Sequence, residues 1–144
     1  MQTNYNLINK ILALFTLLIS FGVYYDTMAP TVSYWDCGEF IAVANTLGVP
    51  HPPGSPFFLL IGRIASMIPF SKDIAFRVNL LSPLSSAFAV MFLYLIIVQC
   101  VTHWRGKVEN NTDALIAFGG GLIGALTFSF TDSHWFNAVE AEVY

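Results

Sequence analysis

Charge is scarce in this sequence. Only 10% of its 144 residues are Asp, Glu, Lys or Arg while 56% are hydrophobic, and the mean hydropathy of +0.64 lies above that of a soluble domain of this size. That scarcity excludes an ordinary water-soluble globule and places the chain among membrane proteins. An excess of one sign is also missing: the formal net charge is -3, which argues against a nucleic-acid partner and against a strong polybasic hold on anionic lipid. Cysteine is limited to two residues. Cys37 lies beside an acidic pair and Cys100 inside a hydrophobic run, so no disulfide framework is expected, and the acidic neighbours of Cys37 disfavour a reactive thiolate.

Three hydrophobic runs remain, and each is long enough to span a bilayer. The first covers residues 7–25, with Asn9 and Lys10 as its strongly polar interruptions; at 1.5 Å per residue it just crosses ~30 Å of hydrocarbon. It lacks a small-x-small cleavage site, so it reads as a retained anchor, with Tyr24 and Tyr25 at the level of an aromatic belt. The second run covers residues 80–101, with Pro83 near its start, where a missing N–H is tolerated. The third covers residues 114–130. Its Gly120 to Gly124 spacing, flanked by Ala117, Gly121 and Ala125, predicts a small-residue face for close helix packing. No phosphate-binding lysine accompanies these glycines, which excludes a nucleotide loop.

Residues 26–79 are too polar at the front, and too interrupted, for a clean helical hairpin. A short helix near residues 36–47, a Pro-rich joint and a surface or re-entrant helix over residues 57–70 are expected; the last carries Arg63 at its middle and is bracketed by Pro56 and Pro69. Basic residues tie between the two sides. The short connector 102–113, with Arg105 and Lys107, favours the cytoplasmic side and leaves residues 26–79 external. The Asn110-Asn111-Thr112 sequon would then face the cytoplasm and go unused. A chain ending "EAEVY" without cap or polar tail reads as the N-terminal portion of one membrane domain, continuing after residue 144.

Within the external segment, "WDCGEF" places Asp36 and Glu39 three residues apart, about 60° around a helix, so both can face one site. The alternative is plain dipole placement at a helix start. His51 precedes Pro52, Pro53 and Gly54, a stiff joint that positions it either as a turn residue or as a contact to substrate or to the acidic pair. Arg77, where the second span begins, either snorkels to headgroups or grips a phosphate; Arg63 reads first as a snorkelling residue.

Together "WDCGEF", "HPPGSPFFLLIGR", "RVNLLS" and "AVEAEVY" resemble the N-terminal part of the transmembrane O-mannosyltransferase-like family. The likeness runs from Tyr24 to Tyr144. It implies an all-α membrane protein with the glycosyltransferase-C type of multi-span bundle, interfacial helices in the first external loop, and a catalytic carboxylate there. The implied reaction takes a sugar, mannose by the resemblance, from a polyprenyl-phosphate carrier to Ser/Thr hydroxyls of secreted or membrane proteins. It would occur outside the cytoplasm, in a bacterial inner membrane or on the equivalent lumenal face in a eukaryote.

In that scheme Asp36 is the general base, Glu39 shares or supports it, and Arg77, His51 and Arg63 meet the donor phosphate or lipid. Glu140 and Glu142 either join the site as an acceptor or second acidic centre, bind a metal, or start a solvated helix. No cofactor is implied and no metal ligand is assigned, the need for a divalent metal staying open. The family's classical relatives place Asp and Glu side by side, whereas Cys37 and Gly38 separate them here, so the choice of base stays open. Two other classes fit the composition: a transporter, which would carry its carboxylates within the spans, and a non-catalytic membrane scaffold, which would not depend on Asp36.

Overall fold

The structure, a computed structural model, describes residues 4–52 and 54–141. It is helical throughout: α1 (Tyr5–Thr27), α2 (Cys37–Thr46), α3 (Pro56–Met67), α4 (Ile74–Asn79), α5 (Leu81–Arg105), α6 (Asn111–Ser129) and α7 (Asp132–Ala138), with no strand among the described residues. Three stretches are long and apolar enough to cross a membrane: α1, the run Ile74–Arg105 that joins α4 to α5, and α6. The second helical stretch therefore starts earlier than residue 80. Asp73 accounts for the early start, accepting a hydrogen bond from the Ala75 N–H at 2.8 Å as an N-cap.

The chain divides into two compact units, one comprising the sequence up to Gly22 with Ser86–His134, the other Val23–Ser85 with the sequence from Trp135. In the first, Ala13, Val90, Tyr94, Val98, Ala117, Phe118 and Ala125 form the core. The small residues at 117, 121 and 125 recur every fourth position and so lie on one face of α6. A Cβ at Gly121 would lie 2.8 Å from Val98 Cγ2 and 3.0 Å from the Tyr94 ring, and one at Gly124 would lie 2.8 Å from Ile97 Cδ1. Gly120, expected on this face, is exposed and meets nothing within 4 Å. The close approach thus runs through Gly121 and Gly124, both of them expected there, and not through Gly120.

Polar groups in this unit are matched in pairs. Asn9, an interruption in the first apolar run, accepts from the Tyr94 hydroxyl at 2.9 Å, and the Ser20 and Ser129 hydroxyls meet at 3.0 Å. Asn110 N-caps α6 by accepting from the Asp113 N–H at 2.9 Å. Gly106, at φ 98°, ends α5 with its N–H on the Thr102 carbonyl.

In the second unit α2, α3 and α4 pack on one another. Gly62 makes the closest approach: a Cβ there would lie 2.9 Å from Ala44 Cβ. Phe40, Ala44 and Leu59 form one cluster, and Cys37, Ile41, Ala75, Val78 and Ala141 another. Helix α3 buries Leu59, Gly62, Ala65 and Ser66 and leaves Phe57, Leu60, Ile64 and Met67 exposed. Twelve residues at 1.5 Å each cannot cross ~30 Å of hydrocarbon. The helix stops because Ile68 is extended (ψ 116°), as the residue before Pro69 prefers. Tyr24, expected at an aromatic belt, is fully buried, whereas Tyr25 is half exposed and stacks edge-on with Phe76.

Asn79 organises this unit. Fully buried, it donates from Nδ2 to the carbonyls of Ala29 (3.0 Å) and Thr31 (2.9 Å), and its Oδ1 accepts from Cys37 Sγ at 3.6 Å. Cys37 is therefore a buried structural donor. The Asn79→Ala variant removes the donor from two carbonyls, at about 1–3 kcal/mol for each one left unsatisfied. Thermal unfolding of the purified full-length protein should show that loss, and an unchanged midpoint would remove Asn79 from this role.

Candidate functional site

The site forms where the chain turns from the first apolar helix into α2. Trp35 has φ 60°, a left-handed backbone that a bulky side chain adopts at a cost. Asp36 follows as the N-cap of α2, yet its carboxylate makes no capping bond to the helix. Glu39 stands in the first turn. Helix-end placement alone therefore does not describe the pair.

His51 reaches both carboxylates. It is carried by the loop after α2, where Leu47 adopts a left-handed backbone (φ 54°) and Gly48 donates to the Val43 carbonyl, ending the helix. The His51 carbonyl accepts from the Gly54 N–H at 3.1 Å, which closes the turn, and Gly54 supplies φ 77°. Pro53 lies outside the described residues. The expected contact between His51 and the acidic pair is present. Glu39 Oε1 accepts from the His51 backbone N–H and Oε2 meets Nδ1, both at 2.8 Å, whereas Asp36 Oδ2 stands 3.8 Å from Nε2. Phe40 backs the imidazole at 5.8 Å between ring centroids.

These contacts set the electrostatics. Hydrogen bonding to Glu39, supported by the charges of Glu39 and Asp36, raises the His51 pKa against partial desolvation, and bonding to His51 lowers that of Glu39. With about two fifths of each side chain exposed, solvent screens the pair. The imidazolium contribution is complete below the ordinary 6.5 and is lost as pH rises through the raised value; the carboxylate contribution is complete above the ordinary 4.5 and is lost as pH falls through the lowered one. The window of full pairing lies between them.

One ligand atom each from Asp36, Glu39 and His51 falls within 4.8 Å of the others, so among the described residues these three could hold a divalent cation. With Nδ1 engaged by Glu39, Nε2 is the ring nitrogen that faces Asp36.

The two arginines are engaged with backbone. Arg63 Nη1 donates to the Asn45 carbonyl in the last turn of α2, where a cation complements the helix dipole. Arg77 donates from Nη1 to the Ser66 carbonyl at 2.8 Å and from Nε and Nη2 to that of Ser71, closing the loop between α3 and α4. A phosphate at either arginine would compete with these carbonyls. Glu140 does not start a solvated helix: it follows α7 and is only 4% exposed. Glu142 lies outside the described residues. Sequence reasoning passed over Asn79, whose only signal is an amide next to the start of a hydrophobic run.

A family profile described as the N-terminal domain of protein O-mannosyl-transferase TMEM260 matches residues 36–144, beginning at Asp36. The chain belongs to the TMEM260 N-terminal domain family. It is 33% identical over 132 residues to protein O-mannosyl-transferase tmem260 of Dictyostelium discoideum, covering 89% of this chain and 14% of that protein. To protein O-mannosyl-transferase TMEM260 of Mus musculus it is 33% identical over 124 residues, covering 85% of this chain and 16% of that protein. The chain thus spans about one seventh of the length of these TMEM260 relatives. No solved structure gives a significant match. Membership and the three apolar helices make it an integral membrane protein.

Replacing Glu39 with Gln removes the main cause of the His51 shift. The imidazole midpoint should fall back toward 6.5, followed by NMR of labelled histidine in the full-length protein and assigned by loss of the signal in His51→Asn. An unmoved midpoint would show that Glu39 does not hold the ring.

Proposed function

We propose that the full-length protein transfers mannose from a polyprenyl-phosphate carrier to Ser or Thr hydroxyls of secreted or membrane proteins on the extracytoplasmic side, with Asp36 as general base. The O-mannosyl-transferase names of the relatives support the reaction class. The choice of base rests on how the two acids meet His51: both oxygens of Glu39 engage it at 2.8 Å, whereas Asp36 Oδ2 lies 3.8 Å from Nε2 on a side chain that is 44% exposed. Glu39 is thus suited to positioning and Asp36 to taking a proton.

The acceptor hydroxyl attacks the anomeric carbon as its proton passes to the Asp36 carboxylate; the bond from that carbon to the phosphate oxygen breaks with inversion, and polyprenyl phosphate leaves with the electron pair. A hydroxyl is a weak nucleophile, and a placed carboxylate assists it as the proton departs. Glu39 favours the protonated form of His51, and in that form the imidazole beside the carboxylates complements the donor phosphate. Arg77 and Arg63 reach that phosphate only by giving up a carbonyl partner. A transport path would carry its acids within the spans; in the sequence, Asp36 and Glu39 fall after α1 and before the apolar run that starts at Ile74.

The test is transfer of labelled mannose from polyprenyl-phosphate mannose to acceptor protein by the full-length enzyme in membranes. Asp36→Asn should lower the rate about 100-fold or more at unchanged expression. Full activity in that variant would transfer the base role to Glu39, and no transfer by the native protein would refute the donor or the reaction.

A further inference from the structure

Beside the carboxylate cluster, and within the same unit, lies a cavity of about 360 Å³ lined by Thr27, Ser33, Tyr34, Trp35, Phe136 and Glu140, among others. Its volume is at the small end of ligand pockets. Two features of its lining point to a ligand. Glu140 is 96% buried, as its 4% exposure implies, and among the described residues no donor reaches its buried Oε1. A buried acceptor left without a donor is costly, so such an atom calls for a partner that brings a hydrogen. Around it, Tyr34 and Trp35 are each 85% exposed and Phe136 is half exposed, all three aromatic side chains on one cavity. Trp35 holds its place with a left-handed backbone, a cost that the loop meets where the indole is displayed.

We propose that this cavity binds a pyranose ring. The assignment rests on the transfer reaction above, and it locates the sugar subsite of that reaction. A pyranose offers two things this lining can use: hydroxyl donors for the Glu140 oxygen that no described donor reaches and for the Ser33 hydroxyl, and a C–H face, apolar and weakly positive, to lie on the negative face of an indole. Trp35 immediately precedes Asp36, so a ring stacked on the indole is one residue away from the base. Glu140 acts here as a binding residue and takes no proton. The ring can belong to the donor or to a sugar already attached to the acceptor; the chemistry of recognition is shared.

The experiment uses the full-length protein in lipid nanodiscs and methyl α-mannopyranoside as probe, read by saturation-transfer NMR over a concentration series. Native protein should saturate the ring protons, and Trp35→Ala and Glu140→Gln should each weaken binding about tenfold. Trp35 is exposed, so its removal leaves the core intact, and Glu140→Gln keeps the side-chain shape. Displacement of the probe by a short-chain polyprenyl-phosphate mannose assigns the ring to the donor; displacement by a mannosylated peptide instead assigns it to the acceptor. Absence of saturation in the native protein, equal saturation in both variants, or saturation of butylammonium in place of the pyranoside would overturn the proposal. A pyranoside that binds as described to a protein without mannose transfer would leave the subsite standing and refute the reaction alone.

Discussion

The second unit depends on the side-chain amide of Asn79. Its two N–H groups and its oxygen are all used, and the partners come from parts of the chain far apart in sequence: Ala29 and Thr31 after α1, and Cys37 at the start of α2. A buried amide satisfied in this way fixes geometry as well as stability, because any shift of the loop leaves polar groups unpaired in a low-dielectric interior. The consequence is local and chemical. With both 31 and 37 held, the chain between them has little freedom, and the left-handed turn at Trp35 that presents Asp36 becomes affordable.

The second constraint is the way charge is divided. Glu39 is spent on His51, through both the backbone N–H and the ring, and this secures the loop after α2 against the helix start. Arg63 and Arg77 are spent on carbonyls at the ends of α2 and α3. Asp36 faces the outer nitrogen of His51 at 3.8 Å, and the buried Oε1 of Glu140 meets no donor among the described residues. Sequence adjacency contributes as well: Trp35 links the aromatic cavity to the acid by a single peptide bond.

Much of this was legible in the sequence, for physical reasons that can be stated. Apolar runs of spanning length disclose themselves by composition, and Asp36 with Glu39 follows from helical periodicity. The helix expected over residues 57–70 is present but ends at Met67, because proline restricts its predecessor Ile68 to extended backbone. Tertiary hydrogen bonds were not legible. For Arg77 the sequence shows a charge that fits either snorkelling or a phosphate, and hides the Ser66 and Ser71 carbonyls to which it donates. Cys37 looked incidental because Asn79 lies 42 residues away. Glu140 looked ambiguous because burial belongs to the fold, and of the small residues expected on one face of α6, Gly120 meets nothing within 4 Å because about 100° of rotation separates it from Gly121.

The central claim is that Asp36, and not Glu39, meets the acceptor. The most direct measurement is a cryo-EM structure of the full-length protein with a non-transferable phosphonate analogue of the donor and an acceptor peptide. The account predicts the acceptor hydroxyl at roughly 2.6–3.2 Å from an Asp36 carboxylate oxygen, with Glu39 still bound to His51. An acceptor hydroxyl on Glu39, or an anomeric carbon bound away from both carboxylates, would contradict it.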